Sequence, residues 1–277
     1  MTLCFAVTIQ TYMDVQSGVT NPKTMKDFEG TVVPEDISGK ADIYFVKDLS
    51  GSMSGDKARE QRRGAILEAE ALKEGDDMLE EEQLPDPLRL DINTAFVGFG
   101  VPVNKPDDPR VGTFKELSKG LTEKQRVEIF KRMLELGNIG TNDYDALVLI
   151  EKEIRQRIVN DSVFAAELKS GKRKVAVIVT TDGGSNYAGL SEPQARAQTN
   201  KKARELRELG VKVKAIAFVP SAGDVGNIQE VYGAEDTTVC SSTDQYPESV
   251  RIILEKDILS PLSISGNTED VLPKVDH

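Results

Sequence analysis

Three short segments of this chain carry oxygen-bearing side chains at spacings that can act together: Asp48-Leu49-Ser50-Gly51-Ser52, Gly140-Thr141-Asn142 and Asp182-Gly183-Gly184. Asp48, Ser50 and Ser52 alternate, so in an extended or turning segment their side chains converge on one point. Each segment supplies oxygen, and none supplies a ligating nitrogen or sulfur. The rest of the chain does not change that chemistry. It has a single histidine, His277 at the last position, and two cysteines, Cys4 and Cys240. Zinc sites, disulfide frameworks and histidine-dependent catalysis therefore lack their raw material. Hydroxyls and carboxylates without imidazole or thiolate suit a hard cation, Mg2+, Mn2+ or Ca2+.

The elements that must position these segments belong to a chain of 277 residues, 39% apolar without counting its 22 glycines. That is enough for one large domain or two modest ones, at roughly 100 to 200 residues each, and it excludes disorder and collagen-like repeats. Lys plus Arg is 35 and Asp plus Glu is 46, a net charge of −11, so nucleic acid is not an expected partner. No apolar window reaches the ~18 residues needed to span a membrane. Residues 2–10 lack a basic start and a small-residue cleavage site, which argues against a signal peptide. Leu3, Phe5, Val7 and Ile9 alternate there like one face of a strand. A reducing cytoplasm is the expected location. Asn160-Asp161-Ser162 fits a glycosylation triplet but reads as a helix end.

Residues 1–40 read as an N-terminal arm with a possible added strand, 41–258 as the main domain and 259–277 as a tail. Ile43 to Val46 is an apolar run of the kind found in a strand buried on both faces. Asp56 is placed to cap a helix to about Lys73, stopped by Gly75. Residues 88–99 read as strand, the segment with Pro102, Pro106 and Pro109 as loop, and Thr113 to Leu117 as a short edge strand. Thr122 with Gln125 forms a capping box for a helix to about Leu136. Asp143 to Ile158 is a helix with Leu147, Ile150, Ile154 and Ile158 on one face. Lys174 to Thr181 is the clearest central strand. Ser191 with Gln194 caps a helix through Leu209, followed by strands Val211–Val219 and Thr237–Ser242 and a last helix from Pro247 to about Ile258. The acidic run Asp76 to Glu82 and the basic run Lys172 to Lys174 read as solvated helix ends and turns. Alternating strands and helices imply a doubly wound, mostly parallel α/β sheet with helices on both faces, in the Rossmann-like manner.

With the three oxygen-bearing segments at predicted strand ends, the chain resembles a von Willebrand factor type A (VWA) domain over about Ala41 to Ile258. The match is carried by Asp48, Ser50 and Ser52 as D-x-S-x-S, by Thr141 and by Asp182, the elements of that family's metal-ion-dependent adhesion site. The resemblance implies that Ser50, Ser52 and Thr141 ligate the cation through hydroxyls, while Asp48 and Asp182 act largely through bound water. Three neutral hydroxyls and two carboxylates held behind water leave a divalent ion electrophilic. An acidic side chain of a partner then completes its octahedron, and Mg2+ fits because it readily keeps waters.

Several other readings compete. Asp48, Ser50 and Ser52 are also common helix caps, and Asp182 a common turn residue. Gly51 to Lys57 approaches a phosphate-binding loop, but it has three residues between its glycines and Asp56 before Lys57, where the motif needs four and none. Gly98-Phe99-Gly100 lacks the third glycine of a dinucleotide fingerprint. A Mg2+-dependent phosphotransferase or phosphatase with Asp48 as nucleophile meets Ser50 where haloacid-dehalogenase-type enzymes resemble D-x-D. The expected function is therefore a non-enzymatic, cation-dependent protein-binding module. Similarity of D-L-S-G-S-M-S-G to intracellular members of the family implies an adaptor whose partner is an AAA+ ATPase or its client. Extracellular adhesion is the alternative. Oligomeric state is not legible.

Overall fold

Among the described residues, the β-branched and aromatic runs form one six-stranded sheet, covered on both faces by helices. The structure, a computed structural model, describes residues 39–81, 90–100, 111–134, 140–186 and 189–259. The strands are β1 (Gly39–Asp48), β2 (Leu90–Phe99), β3 (Val111–Lys119), β4 (Arg173–Thr181), β5 (Val211–Phe218) and β6 (Thr237–Cys240), in the order β3-β2-β1-β4-β5-β6. All neighbours are parallel except β2 and β3, which run antiparallel at one edge. The chain builds outward from β1 to β3, then starts again at β4 on the other side of β1. Strand order reverses between β1 and β4, and the crevice beyond the carboxyl ends of the strands at such a switch is where open parallel sheets bind ligands.

The helices are α1 (Asp56–Glu81), α2 (Glu123–Arg132), α3 (Asp143–Asn160), α4 (Ser162–Ser170), α5 (Glu192–Glu208), α6 (Ala222–Tyr232) and α7 (Tyr246–Ile253), the last passing into a π-helical turn, Leu254–Leu259. The two-residue period of β1 divides the core. Ala41, Ile43 and Phe45 pack with Ala65 of α1, Ile129 of α2 and Tyr246, Val250 and Ile253 of α7. Tyr44 and Val46 pack with α3 through α6, against Leu147, Ile150, Phe164, Leu206 and Ile228. Both faces of the central strands are therefore dry, which explains why they read as continuous apolar runs.

Several boundaries differ from the sequence reading. Helix α1 continues past Gly75 to Glu81, and Asp56 is its first helical residue rather than a cap before it. A glycine costs a helix interior only about 1 kcal/mol, and Glu, Lys, Leu and Ala around this one favour helix. Helix α2 ends at Arg132, short of Leu136. Strand β3 is longer than Thr113–Leu117 because it pairs along β2. The last helix begins at Tyr246 and loosens into the π-helical turn at Leu254. Helices α4 and α6 are additions. Asp161 closes α3 and opens α4, accepting hydrogen bonds from the Val163 and Phe164 amides, so the Asn160-Asp161-Ser162 triplet is a helix end on both sides. Helix α6 contains Gly223 and Gly226, weak helix formers outweighed by burial of Ile228, Val231 and Tyr232.

The basic run at 172–174 is not simply a solvated turn. Arg173 is 9% exposed and contacts Asp42 at 2.9 Å, Glu167 at 3.0 Å and Asp91 at 3.3 Å. Its guanidinium fork matches several carboxylates at once, which a residue-by-residue reading of charge cannot anticipate. Residues 1–38, with Cys4 and the alternating Leu3 to Ile9, lie outside the described residues, as do the Pro102, Pro106 and Pro109 segment and His277. Among the described residues no helix is long and apolar enough to cross a membrane.

Candidate metal centre

The site is built where β1 and β4 end. Asp48 is the last residue of β1 and Asp182 follows β4, side by side at the strand-order switch. After Asp48 the backbone turns sharply. The Leu49 amide donates to the Phe99 carbonyl of β2 at 2.9 Å, and a 3-10 turn, Gly51–Met53, leads toward α1. Gly100 makes this turn possible. It has φ +70°, and a Cβ there would lie 2.9 Å from the Ser50 amide nitrogen, so only glycine lets β2 pass so close to the Asp48-to-Ser52 loop.

Within the loop, Asp48 Oδ1 accepts the Ser50 amide at 2.8 Å and Asp48 Oδ2 accepts the Thr181 hydroxyl at 2.7 Å. Ser50 Oγ and Ser52 Oγ are 3.0 Å apart, and Ser52 Oγ donates to Asp182 Oδ1 at 2.8 Å. Four of the five predicted residues thus form one hydrogen-bonded chain, Asp48–Ser50–Ser52–Asp182. Thr141 completes the set by lining the same cavity of about 370 Å3 as Ser52 and Asp182. Asp48 is wholly buried, Ser50, Thr141 and Asp182 nearly so, and Ser52 exposed.

Three features of the site escape a motif reading. Thr181, the last residue of β4, orients Asp48 through its hydroxyl. Asp143, two residues after Thr141, is fully buried at the start of α3. Its carboxylate accepts from Tyr232 at 2.6 Å, Ser185 at 2.9 Å and Thr199 at 3.2 Å. The Asn186 amide also donates to the Thr141 carbonyl at 2.9 Å. Asp143 thereby ties the Thr141 loop to the loop after Asp182. Gly140 allows the close contact, since a Cβ there would sit 2.3 Å from the Asn186 carbonyl oxygen. The third feature is Lys57, on the first turn of α1, whose ammonium lies 2.6 Å from Asp182 Oδ2. The Lys57 position and an Asp shortly after Gly-Thr-Asn were visible in the sequence, but nothing in their spacing marks them.

The electrostatics favour a cation. Burial pushes the Asp48 carboxyl up to about 7, with the hydrogen bonds from Ser50 and Thr181 pulling against it. Burial likewise raises Asp143, opposed by its three hydroxyl donors. Neither carboxylate has a cationic side chain in ion-pair contact among the described residues. Among those residues no cluster of three or more His, Cys, Asp or Glu side chains is arranged to hold a metal. Any ion here must therefore rely on hydroxyls for much of its shell, as the Ser50, Ser52 and Thr141 set provides, and such an all-oxygen set fits Mg2+, Mn2+ or Ca2+.

Glu192, Arg196, Ser221, Asp224 and Asn227 line the same cavity. Val219, with φ 47°, turns the chain after β5 toward Ser221. A left-handed backbone is rare for a β-branched residue and marks a locally strained corner at the cavity edge.

No family model and no curated protein matches the chain. Among solved structures, the pilus adhesin SpaC of Lactobacillus rhamnosus GG in its open conformation is similar at a TM-score of 0.58 and 15% identity, over 83% of this chain and 31% of the adhesin. A second structure of that adhesin gives 0.57 and 15%, over 83% of this chain and 32% of the adhesin. The proximal thread matrix protein 1 of the mussel byssus, solved with zinc in its MIDAS motif, gives only 0.43 at 19% identity, over 80% of this chain and 47% of that protein. The chain spans about a third of the adhesin's length, and at 15% identity the likeness shows the fold alone. That fold is a mostly parallel α/β arrangement with helices on both faces, with the strand-end loops of β1 and β4 side by side.

Proposed function

We propose that the chain is a non-enzymatic, divalent-cation-dependent protein-binding module. The observation that carries this reading is the convergence of Asp48, Ser50, Ser52, Thr141 and Asp182 at the strand-order switch, around a fully buried carboxylate without a cationic partner. Ser50, Ser52 and Thr141 would hold the ion by their hydroxyls, and Asp48 and Asp182 would hold it largely through water. When bound, a Mg2+, Mn2+ or Ca2+ ion supplies an electrophilic position to which an Asp or Glu of a protein partner can add. The domain concerned is residues 41–258.

Chemistry at Asp48 is disfavoured by its surroundings. A nucleophile must reach its substrate, whereas Asp48 is 0% exposed and both its oxygens accept hydrogen bonds. The residue two positions on is Ser50, which cannot act as an acid-base carboxyl.

For the partner, the form D-L-S-G-S-M-S-G supports a cytoplasmic adaptor beside an AAA+ ATPase or its client. The likeness to an adhesin supports a second reading, an extracellular adhesion module. Pull-down with and without EDTA, followed by identification of the retained protein, decides between them, and retention unaffected by EDTA would remove the metal bridge from both. The site itself is tested by Mg2+ or Mn2+ titration of the wild type, Ser50→Ala and Asp182→Ala. The wild type should show a rise in melting temperature that both variants lack, and equal shifts in all three would sink the assignment.

A further inference from the structure

Lys57 is the one cation among the described residues in ion-pair contact with any of the five site residues. Its ammonium lies 2.6 Å from Asp182 Oδ2, while Ser52 takes Oδ1 of the same carboxylate at 2.8 Å. The Asp182 side chain is 4% exposed and that of Lys57 26%. The ammonium therefore reaches in from the cavity mouth, on a stem with four flexible carbons.

Helix stability does not explain a lysine there. Lys57 is on the first turn of α1, where backbone N–H groups concentrate partial positive charge and a cationic side chain is disfavoured. Its location makes sense through Asp182 instead. We propose that Lys57 is a tethered monovalent cation that competes with the divalent ion for Asp182 and so sets a low intrinsic metal affinity. This inference rests on the proposed metal centre and concerns how that centre is regulated.

The physical reasoning is short. A divalent ion held through Asp182 must approach the ammonium to within a few ångströms, in surroundings where charges are screened far less than in bulk water. Either the two cations repel while sharing one carboxylate, or the ammonium swings into the cavity and loses its ion pair. Both routes weaken metal binding. Replacing the ammonium with an uncharged group of similar length removes the competition and leaves every hydroxyl ligand in place.

The test is isothermal calorimetry with Mn2+ or Mg2+ on the full chain, comparing the wild type with Lys57→Met and Lys57→Arg, and with Ser50→Ala as a site control. Lys57→Met should bind at least tenfold tighter than the wild type, and Lys57→Arg, which keeps the charge, should stay within about threefold of it. Lys57→Met equal to or weaker than the wild type would overturn the competition while leaving the metal centre intact. Absence of binding to both would overturn the competition and the proposed centre together. Melting in EDTA verifies that Lys57→Met is folded. If it is destabilised, Lys57→Gln carries the same expectation.

Discussion

The two ends of the sheet treat buried carboxylates in opposite ways. At the end where β1 and β4 begin, Asp42 is fully buried and accepts hydrogen bonds from Arg173 and Asn93, each at 2.9 Å. Arg157 adds an ion-pair contact at 2.9 Å whose geometry is not that of a hydrogen bond. Arg173 also reaches Asp91 and Glu167, and Lys40 contacts Glu167 as well. Burial alone would raise Glu167, but the hydrogen bonds from Lys40 and Arg173 outweigh it and hold the carboxyl below its usual range. At the opposite end, Asp48 and Asp143 are held by hydroxyls and amides, and burial raises both. One end neutralises its charge internally. The other surrounds Asp48 and Asp143 with neutral donors, and of the buried carboxylates Asp48, Asp143 and Asp182 only Asp182 has a cationic partner among the described residues, Lys57.

The comparison is broken most directly at the neutralised end. Arg173→Met removes the one side chain that contacts Asp42, Asp91 and Glu167 together, leaving Asp42 buried with only Arg157 and Asn93. Losing one partner of a buried ionic cluster costs about 3–5 kcal/mol. Urea denaturation should show that loss, with the same size in EDTA and in Mg2+, because this end does not touch the proposed metal centre. A loss that depended on Mg2+ would mean that the two ends are coupled.

How far the sequence discloses this architecture varies with the physics behind each element. Buried parallel strands are apolar runs bounded by turn residues, so Ile43–Val46 and Lys174–Thr181 announce themselves. Capping boxes at Thr122 and Ser191 do the same for α2 and α5, and both are formed. Helix α6 is invisible to local patterns because two glycines depress its propensity, and only burial of Ile228, Val231 and Tyr232 restores it. The five candidate site residues are legible because they fall in three short oxygen-bearing segments at predicted strand ends and match the motif of a family that the chain resembles. Asp143, Thr181 and Lys57 are not, because their roles depend on which loops meet across the sheet, and a linear sequence carries no record of that meeting. Arg173 fails in the same way: a basic run near a turn reads as solvated until β1, β2 and α4 converge on it.

At the hydroxyl-held end, Asp143→Ala should cost less than Arg173→Met, about 2–3 kcal/mol. It strands the hydroxyls of Tyr232, Ser185 and Thr199 without an acceptor, although Thr199 also donates to the Ala195 carbonyl. Asp143→Asn keeps an acceptor and should lose no more than about 1 kcal/mol. Because Asp143 joins the Thr141 loop to the Asp182 loop, Asp143→Ala should also reduce the melting shift on adding Mg2+, whereas Arg173→Met should preserve it. Preserved shifts in both would show that the clasp supports the fold without placing Thr141.

The pH dependence is the most discriminating effect, because it changes sign between the two ends. Without metal, Asp48 has a native carboxyl pushed up to about 7 from an ordinary 3.8. Between those values the native state holds a proton that the unfolded chain has released. The contribution of Asp48 to stability is therefore fully present below about pH 4 and lost as the pH rises toward and through 7. Glu167, held low at the other end, behaves oppositely: its contribution is present above the unfolded carboxyl range and is lost as the pH falls through its depressed value. Asp48→Asn isolates the first effect, since its amide is neutral throughout and preserves the shape that meets Ser50 and Thr181. In EDTA the variant and the wild type should be about equally stable near pH 4, and the variant should be the more stable of the two at pH 8. A stability difference that stays constant with pH would show that Asp48 remains ionised without a cation.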